Sequence, residues 1–368
     1  MINIETKKHL TLYRVGLFLV FLHLWMSAQA GIAELYLPVK NAMLVLILIV
    51  FFFQTQYLKL SIKTFLALGL GAIIALYNYT KVNDAWILYS YLLVIYSRNL
   101  NLKDVIRTYY VYLSFLFAIN MLLFIPQYIS GSALYIETTE TRRYLMNFQS
   151  PNEAAMTWVT IIFAYFYTRN FNLLKIIAIV LISFFMYRLT SSDAIWFLAI
   201  IPIGFICSKR KKLLQLMNTT APFAFVFFCI GTFFLIYQKP IWVDYLDKVF
   251  FTGRLNLSKL AIEQYGYTWF GQKVDLFTGI GSGNDYQFLV VDNAFAYIAI
   301  RTGLFFLVSL CFLFISNPVK DNYKAALSYF FYALFALAEN NILNPLFIFP
   351  LIIAYNIKYY NEHTVLHS

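Results

Sequence analysis

Thr220–Tyr237 reads TAPFAFVFFCIGTFFLIY, eighteen residues without a charge, and the basic run Lys209-Arg210-Lys211-Lys212 stands shortly before it. At about 1.5 Å per residue, a helix of this length covers most of a hydrocarbon core of roughly 30 Å. Its apolar residues lie on every side, so lipid suits it as a solvent and water does not. A lipid-facing strand would alternate apolar and polar residues over about ten positions, and this run does not alternate. The basic run is retained on the cytoplasmic side as a stop signal, and it can also touch anionic lipid headgroups.

Moving outward from this stretch, comparable runs fill the chain. They lie at Leu10–Ala30, Asn41–Gln56, Ile62–Tyr79, Asp84–Ser97, Val105–Pro126 and Asn152–Thr168. Five more join Thr220–Tyr237 in the second half: Leu173–Leu189, Ser192–Cys207, Asn293–Ser316, Tyr323–Ala338 and Leu343–Ile357. Composition agrees, with 61% hydrophobic and 12% charged residues, where soluble chains carry about a quarter charged. The expected fold is an all-α integral membrane protein, a polytopic bundle of about 12 transmembrane helices. Residues 1–368 form a single polytopic membrane domain with two long outer-face loops, and no soluble segment is long enough to fold separately.

Lys and Arg in short loops set the orientation. With the N-terminus inside, cytoplasmic segments hold seventeen of them: Lys7, Lys8, Arg14, Lys59, Lys63, Arg98, Lys103, Arg107, Arg169, Lys175, Lys209 to Lys212, Lys320, Lys324 and Lys358. The outer loops other than Gln238–Asp292 hold five, Lys40, Lys81, Arg142, Arg143 and Arg188. Both termini are therefore expected in the cytoplasm. This asymmetry accounts for most of the net charge of +11 without a nucleic-acid partner. The first run is too long for a signal-peptide core and lacks a small-residue cleavage site, so it is expected to stay as the first span. Cys207, Cys229 and Cys311 all fall within spans and offer neither a disulfide framework nor a CxxC metal site. The four histidines show no ligand spacing, so neither metal nor cofactor is expected.

Two connections break the pattern of short loops, Gln127–Pro151 and Gln238–Asp292, both on the outer side. Long loops in compact proteins are functional or disordered, and these are rich in Tyr, Trp, Gly and paired charges, which favours ordered, working loops. The first ends in Arg142-Arg143-Tyr144 and Gln149-Ser150-Pro151-Asn152-Glu153. Pro151 fits a first helical turn and Ser150 can cap it. Adjacent arginines on the outer side oppose the charge rule and need a reason. The second loop carries Thr252-Gly253-Arg254, Trp269-Phe270-Gly271, Gly279-Ile280-Gly281-Ser282-Gly283-Asn284 and Val291-Asp292-Asn293. Glycines such as Gly281 and Gly283 let backbone N–H groups approach an anion. With Arg142, Arg143 and Arg254 they describe an outer pocket suited to a diphosphate, because guanidinium forks match phosphate oxygens. Trp242, Tyr265, Tyr267 and Trp269 could stack on sugars, but interfacial anchoring is the simpler expectation for them.

Two ionisable residues sit deeper. Arg301 follows Asp292 by nine positions, which puts them on opposite faces of one unbroken helix. Gly303 offers a break, so that Asp292–Arg301 could form a short helix lying at the outer interface. Glu339 opens an unusually polar corner with Asn340, Asn341, Asn344 and Pro345. Charges in a membrane face a cavity or a partner, and an Arg301–Glu339 ion pair joining two helices is one such arrangement.

Taken in order, these motifs resemble bacterial polysaccharide polymerases of the Wzy type, within the O-antigen polymerase and ligase superfamily. Arg142-Arg143 followed by Ser-Pro-Asn at a helix mouth is similar to that family's arginine and Asn-Pro-Asn region. Tyr187-Arg188-Leu189-Thr190-Ser191-Ser192 stands where the family has a Thr/Ser-Arg turn, although here Asp193 follows Ser192. Thr252-Gly253-Arg254, the glycine cluster, Asp292-Asn293 and Thr302-Gly303 resemble the family's large outer loop and following span. The superfamily's ligases place a histidine before the asparagine where this chain has Asp292, which favours a polymerase.

The resemblance implies glycosyl transfer on the outer face of the bacterial cytoplasmic membrane. Its substrates would be a growing glycan on undecaprenyl diphosphate as donor and a new lipid-linked repeat unit as acceptor. Membrane lipid, a chain-length regulator and a flippase would be its partners. Arg142, Arg143 and Arg254 would stabilise the departing diphosphate. Asn152, Arg188, Gly281, Gly283, Asn293 and Arg301 would hold diphosphate or glycan. Asp292 would be the general base on the acceptor hydroxyl, with Glu339 competing for that role. The competing readings are an O-antigen ligase, a transporter or flippase, and a structural protein. No repeat between the halves supports a transporter, and a scaffold leaves the outer arginines without purpose.

Overall fold

The computed structural model describes residues 4–28, 33–58, 60–82, 85–137, 142–170, 172–238, 241–249, 253–274, 291–320 and 322–365. Helices α1 (Ile4–Ala28), α2 (Ala33–Gln54), α3 (Ile62–Val82), α4 (Trp86–Tyr96) and α5 (Leu102–Ile129) come first. A hairpin of β1 (Tyr135–Glu137) and β2 (Arg142–Tyr144) follows, then α6 (Pro151–Thr168) and α7 (Leu173–Thr190). A 3-10 segment, Asp193–Ala199, runs into α8 (Ile200–Ser208) and is followed by α9 (Lys211–Gln238), α10 (Ile241–Val249) and α11 (Arg254–Tyr265). The rest is α12 (Ala294–Tyr297), a π-helical turn at Ile298–Thr302, α13 (Leu304–Ser316), α14 (Tyr323–Ala338) and α15 (Phe349–Val365).

Among the described residues the chain is helical apart from the hairpin and connecting turns. Among the described residues six stretches are helical, long and apolar enough to cross a membrane: Glu5–Ser27, Val39–Tyr57, Ile62–Val82, Leu102–Ile129, Leu173–Thr190 and Lys211–Gln238. The other apolar runs are helical too, but shorter or broken, as in the 11-residue α4 and the 13-residue α13, or, in the unbroken 18-residue α6, less apolar. Two runs depart from expectation. Leu343–Ile357 becomes regular helix only at Phe349, because Asn344 and Pro345 lie in turns. Asn293–Ser316 is interrupted at Gly303. The loop expected over 238–292 contains two ordered helices, α10 and α11, and the loop expected over 127–151 contains the hairpin.

The chain divides into two compact units. The first comprises residues 1–61, 92–203 and 345–368, the second residues 62–91 and 204–344. In the first, α6 is the central helix. All but three of its eighteen residues are buried, Glu153, Thr157 and Thr160 among them. Ser150 accepts the N–H of Glu153 at 3.1 Å and Pro151 takes the first turn, as the sequence predicts. Glu153 in turn accepts the Gln149 N–H at 3.0 Å, one residue before the cap, so its carboxylate folds back over the helix mouth. By contrast α7 turns Leu173, Leu174, Val180, Leu181 and Phe184 outward, an apolar face that lipid would cover at no cost. Trp25 Nε1 donates to Asn120 Oδ1 at 2.8 Å and ties α1 to α5.

In the second unit α9 packs against α14 and α13. Phe225 is the pivot, with ring centroids 5.0 Å from Phe295, 5.2 Å from Phe314 and 5.8 Å from Tyr332. A further apolar cluster, including Ile236, Val243, Leu255, Ile262, Val291, Tyr297 and Ile300, seats α10 and α11 beside α12 and the π turn. These short helices position the residues considered next.

Candidate functional site

Helix α11 begins at Arg254, directly after Gly253, whose φ of 83° suits a residue without a Cβ. Asp247 of α10 organises this start. It is 1% exposed, and its carboxylate oxygens accept the N–H groups of Leu255 at 2.9 Å and Asn256 at 3.0 Å. Its carbonyl accepts the Gly253 N–H at 2.9 Å. A carboxylate therefore already occupies the anion-attracting end of α11. The Arg254 side chain reaches Asp292, with Nε 3.4 Å from Oδ2 and side-chain exposures of 21% and 29%. The pair is half-buried, with access to solvent remaining on both partners.

Asp292 is held from both sides. Asn340 Nδ2 donates to the Val291 carbonyl at 2.9 Å, and Asn293 Nδ2 donates to the Leu337 carbonyl at 3.4 Å. Asn293 Oδ1 accepts the Ala296 N–H at 3.2 Å and so caps α12. Asn293, expected from the sequence to hold substrate, is fully buried and braces the backbone beside Asp292. The polar corner is thus an anchor for the segment entering α12. Within that corner Glu339 is buried and closes α14, its N–H donating to the Phe335 carbonyl at 2.9 Å.

Beyond Asp292, the residues from Ala294 to Ile300 are all buried. The short helix expected before a break at Gly303 is present, and it is enclosed by protein on all sides. Its π turn ends at Gly303, with φ 109°. The helix break would orphan backbone groups, and the loop after α11 satisfies them. Thr268 and Trp269 carbonyls accept the N–H groups of Leu304 at 2.8 Å and Phe305 at 3.1 Å. On the other side of the break the Gln272 N–H donates to the Arg301 carbonyl at 3.1 Å. Asn78 of α3 donates to the carbonyls of Thr302 at 2.9 Å and Phe270 at 3.0 Å. Backbone approaches so closely here that a Cβ on Gly303 would lie 2.5 Å from the Trp269 carbonyl oxygen, and one on Gly271 2.6 Å from that of Arg301. Arg301 itself lies over the Tyr297 ring, 5.4 Å from its centroid, and donates to the Tyr297 hydroxyl.

Arg142 and Arg143 belong to the first unit and Arg254 to the second. Successive strand residues face opposite ways, and the two arginines separate accordingly. Arg143 Nε donates to the Thr190 carbonyl at 2.9 Å and its Nη2 to Asn152 Oδ1 at 2.6 Å. It thereby joins the end of α7, where carbonyls favour a cation, to the mouth of α6. Arg142 is exposed, with Nε 3.5 Å from Glu137 Oε1. Arg188 is exposed in the last turn of α7, without a partner among the described residues.

Gly281, Gly283 and the rest of the Gly279–Asn284 cluster lie outside the described residues, as does Thr252. Of the aromatic candidates, Trp242 and Trp269 are exposed, and Tyr265 packs against the apolar cluster. The Tyr267 hydroxyl meets that of Tyr237 at 2.5 Å. Burial first, and then this hydrogen bond, raises the Tyr267 pKa. The sequence had no signal for Asp247, Asn78, Gly271's close approach or the hairpin. Chemically, the Arg254–Asp292 centre offers a cation for an anionic group beside a carboxylate able to take a proton. Comparison with family profiles, curated proteins and solved structures finds no match for this chain.

Proposed function

We propose that the chain is a lipid-linked polysaccharide polymerase of the cytoplasmic membrane, crossing it about twelve times with both termini inside. The carrying observation is the half-buried Arg254–Asp292 pair, pinned by Asp247 on one side and by Asn293 and Asn340 on the other. In this reading the donor is a glycan on undecaprenyl diphosphate and the acceptor a hydroxyl of a new lipid-linked repeat unit. The donor's diphosphate takes Arg254 from Asp292, because it presents more charge in a forked arrangement. Asp292, released, accepts the proton of the acceptor hydroxyl as that oxygen bonds to the anomeric carbon. The bond from the anomeric carbon to the diphosphate oxygen breaks, and Arg254 stabilises the charge that leaves.

The test is the length distribution of surface polysaccharide in a polymerase-deficient strain complemented with single variants. Asp292→Asn and Arg254→Ala should each leave mostly single repeat units, with polymerisation reduced on the order of 100-fold or more. Full-length ladders from both variants would refute the reading. One observation favours a second reading: discontinuous helices are common around transporter sites, and the break at Gly303 is one. Loss of a transporter would trap repeat units inside the cell, whereas loss of a polymerase leaves them singly on the outside.

A further inference from the structure

We infer that the exposed face of the β1–β2 hairpin is a glycan-binding platform, made by Tyr135, Tyr144, Glu137 and Arg142. The inference deepens the polymerase reading and rests on it for the source of the glycan, a lipid-linked repeat unit. The strands pair antiparallel with Tyr135 opposite Tyr144, Ile136 opposite Arg143 and Glu137 opposite Arg142. Alternation then puts the two tyrosines and the Glu137–Arg142 pair on one face, and Ile136 with Arg143 on the other.

The four side chains are arranged together. Ring centroids of Tyr135 and Tyr144 are 5.9 Å apart, and Tyr128 from the end of α5 adds a third ring 5.0 Å from Tyr144. The Arg142 guanidinium lies 4.9 Å from the centroid of the Tyr135 ring. Glu137 and Arg142 are 67% and 59% exposed, so the ion pair itself adds little stability to the fold. The hairpin is also pinned. The Leu145 N–H donates to the Leu134 carbonyl at 3.1 Å, and the N–H groups of Ser132 and Ala133 donate to the Gln127 carbonyl at 2.8 and 3.0 Å. With Arg143 anchored beneath, the face is ordered before any ligand arrives, which lowers the entropic cost of binding.

This combination selects among ligands. A diphosphate gains from Arg142 but is repelled by Glu137 beside it. An acyl chain gains nothing from an exposed ion pair. A neutral sugar ring uses everything present: its C–H face packs on a tyrosine ring, while neighbouring hydroxyls donate to the carboxylate and accept from the guanidinium.

The experiment uses full-length protein in nanodiscs of phosphatidylethanolamine and phosphatidylglycerol. The probe is surface polysaccharide of the producing bacterium, hydrolysed to lipid-free and phosphate-free repeat units, with binding read by saturation-transfer NMR. Tyr135→Ala should weaken binding about tenfold, the value of one lost ring contact. Glu137→Gln and Arg142→Gln should each weaken it several-fold, and Tyr135→Trp should retain it. All three substituted positions are exposed, and melting temperatures verify that the variants fold. Wild-type protein that binds no repeat unit, or Tyr135→Ala that binds as well as wild type, overturns the platform. So does quenching of the new indole in Tyr135→Trp by brominated acyl chains, which would make the face a lipid contact. The two proposals fail separately. Lost ladders in Asp292→Asn without glycan binding remove the platform alone, and glycan binding with intact ladders removes the polymerase alone.

Discussion

Arg142 and Arg143 are neighbours in sequence with opposite tasks, and a single substitution at each should separate them. Arg143→Lys keeps the charge but loses the fork that reaches both Thr190 and Asn152. A hydrogen bond from a charged group contributes about 1.5 to 3 kcal/mol, so the melting temperature in detergent should fall clearly. Arg142→Gln, at the exposed position, should leave it unchanged within error. Equal effects from both would contradict the division of roles. At this scale the sequence disclosed residues by chemical type. Arg254 and Asp292 were conspicuous because charges are rare in this chain. Asn78 was not, because what it does depends on a distant partner, Thr302, across 224 positions. No periodicity or motif spans such a separation. The capping role of Asn293 was hidden for a related reason: an asparagine before a helix suits a cap as well as a ligand contact.

Among elements, the interrupted segment from α12 to α13 is the most demanding. Its break survives because Asn78, Gln272 and the carbonyls of Thr268 and Trp269 take every group named above as freed. Gly303→Ala would force a Cβ against the Trp269 carbonyl and place a side chain at φ 109°. The expected loss is about 2 to 3 kcal/mol, seen as a lower melting temperature and reduced yield. Gly231, with nothing within 4 Å of an added Cβ, is the control, and Gly231→Ala should be neutral or slightly stabilising by helix propensity. The break was legible because glycine interrupts an apolar run. The π turn before it was not, since a π turn arises from tertiary packing around one inserted residue. The hairpin was equally hidden: three-residue strands carry too little alternation to be distinguished from loop.

For the molecule as a whole, the charge asymmetry between loops makes a direct prediction about sidedness. In a variant lacking Cys207, Cys229 and Cys311, Ser132→Cys should react with an impermeant maleimide in intact cells. Lys211→Cys should react only after the membrane is opened. The reverse pattern would invert the topology and place the Arg254–Asp292 centre on the wrong side for polymerisation. The all-α class was readable from the eighteen-residue stretch at Thr220 because uniform apolarity has few structural solutions in lipid. Division into two units was not, since no linker, proline-rich segment or composition change marks residues 61–62 or 203–204.

The interruption at Gly303 leaves α13 only 13 residues long, which at 1.5 Å per residue is about 20 Å of continuous helix. That falls short of a hydrocarbon core of roughly 30 Å, and a membrane beside a short span thins to match it. On the proposed reading, a carrier lipid bound there would have its headgroup lower than elsewhere in the leaflet. If the chain is the polymerase proposed above, acyl-chain length then becomes a control on turnover. In reconstituted bilayers, polymerisation should be faster with fourteen-carbon than with twenty-carbon chains, and a rate independent of chain length would show that the bilayer does not yield at this helix.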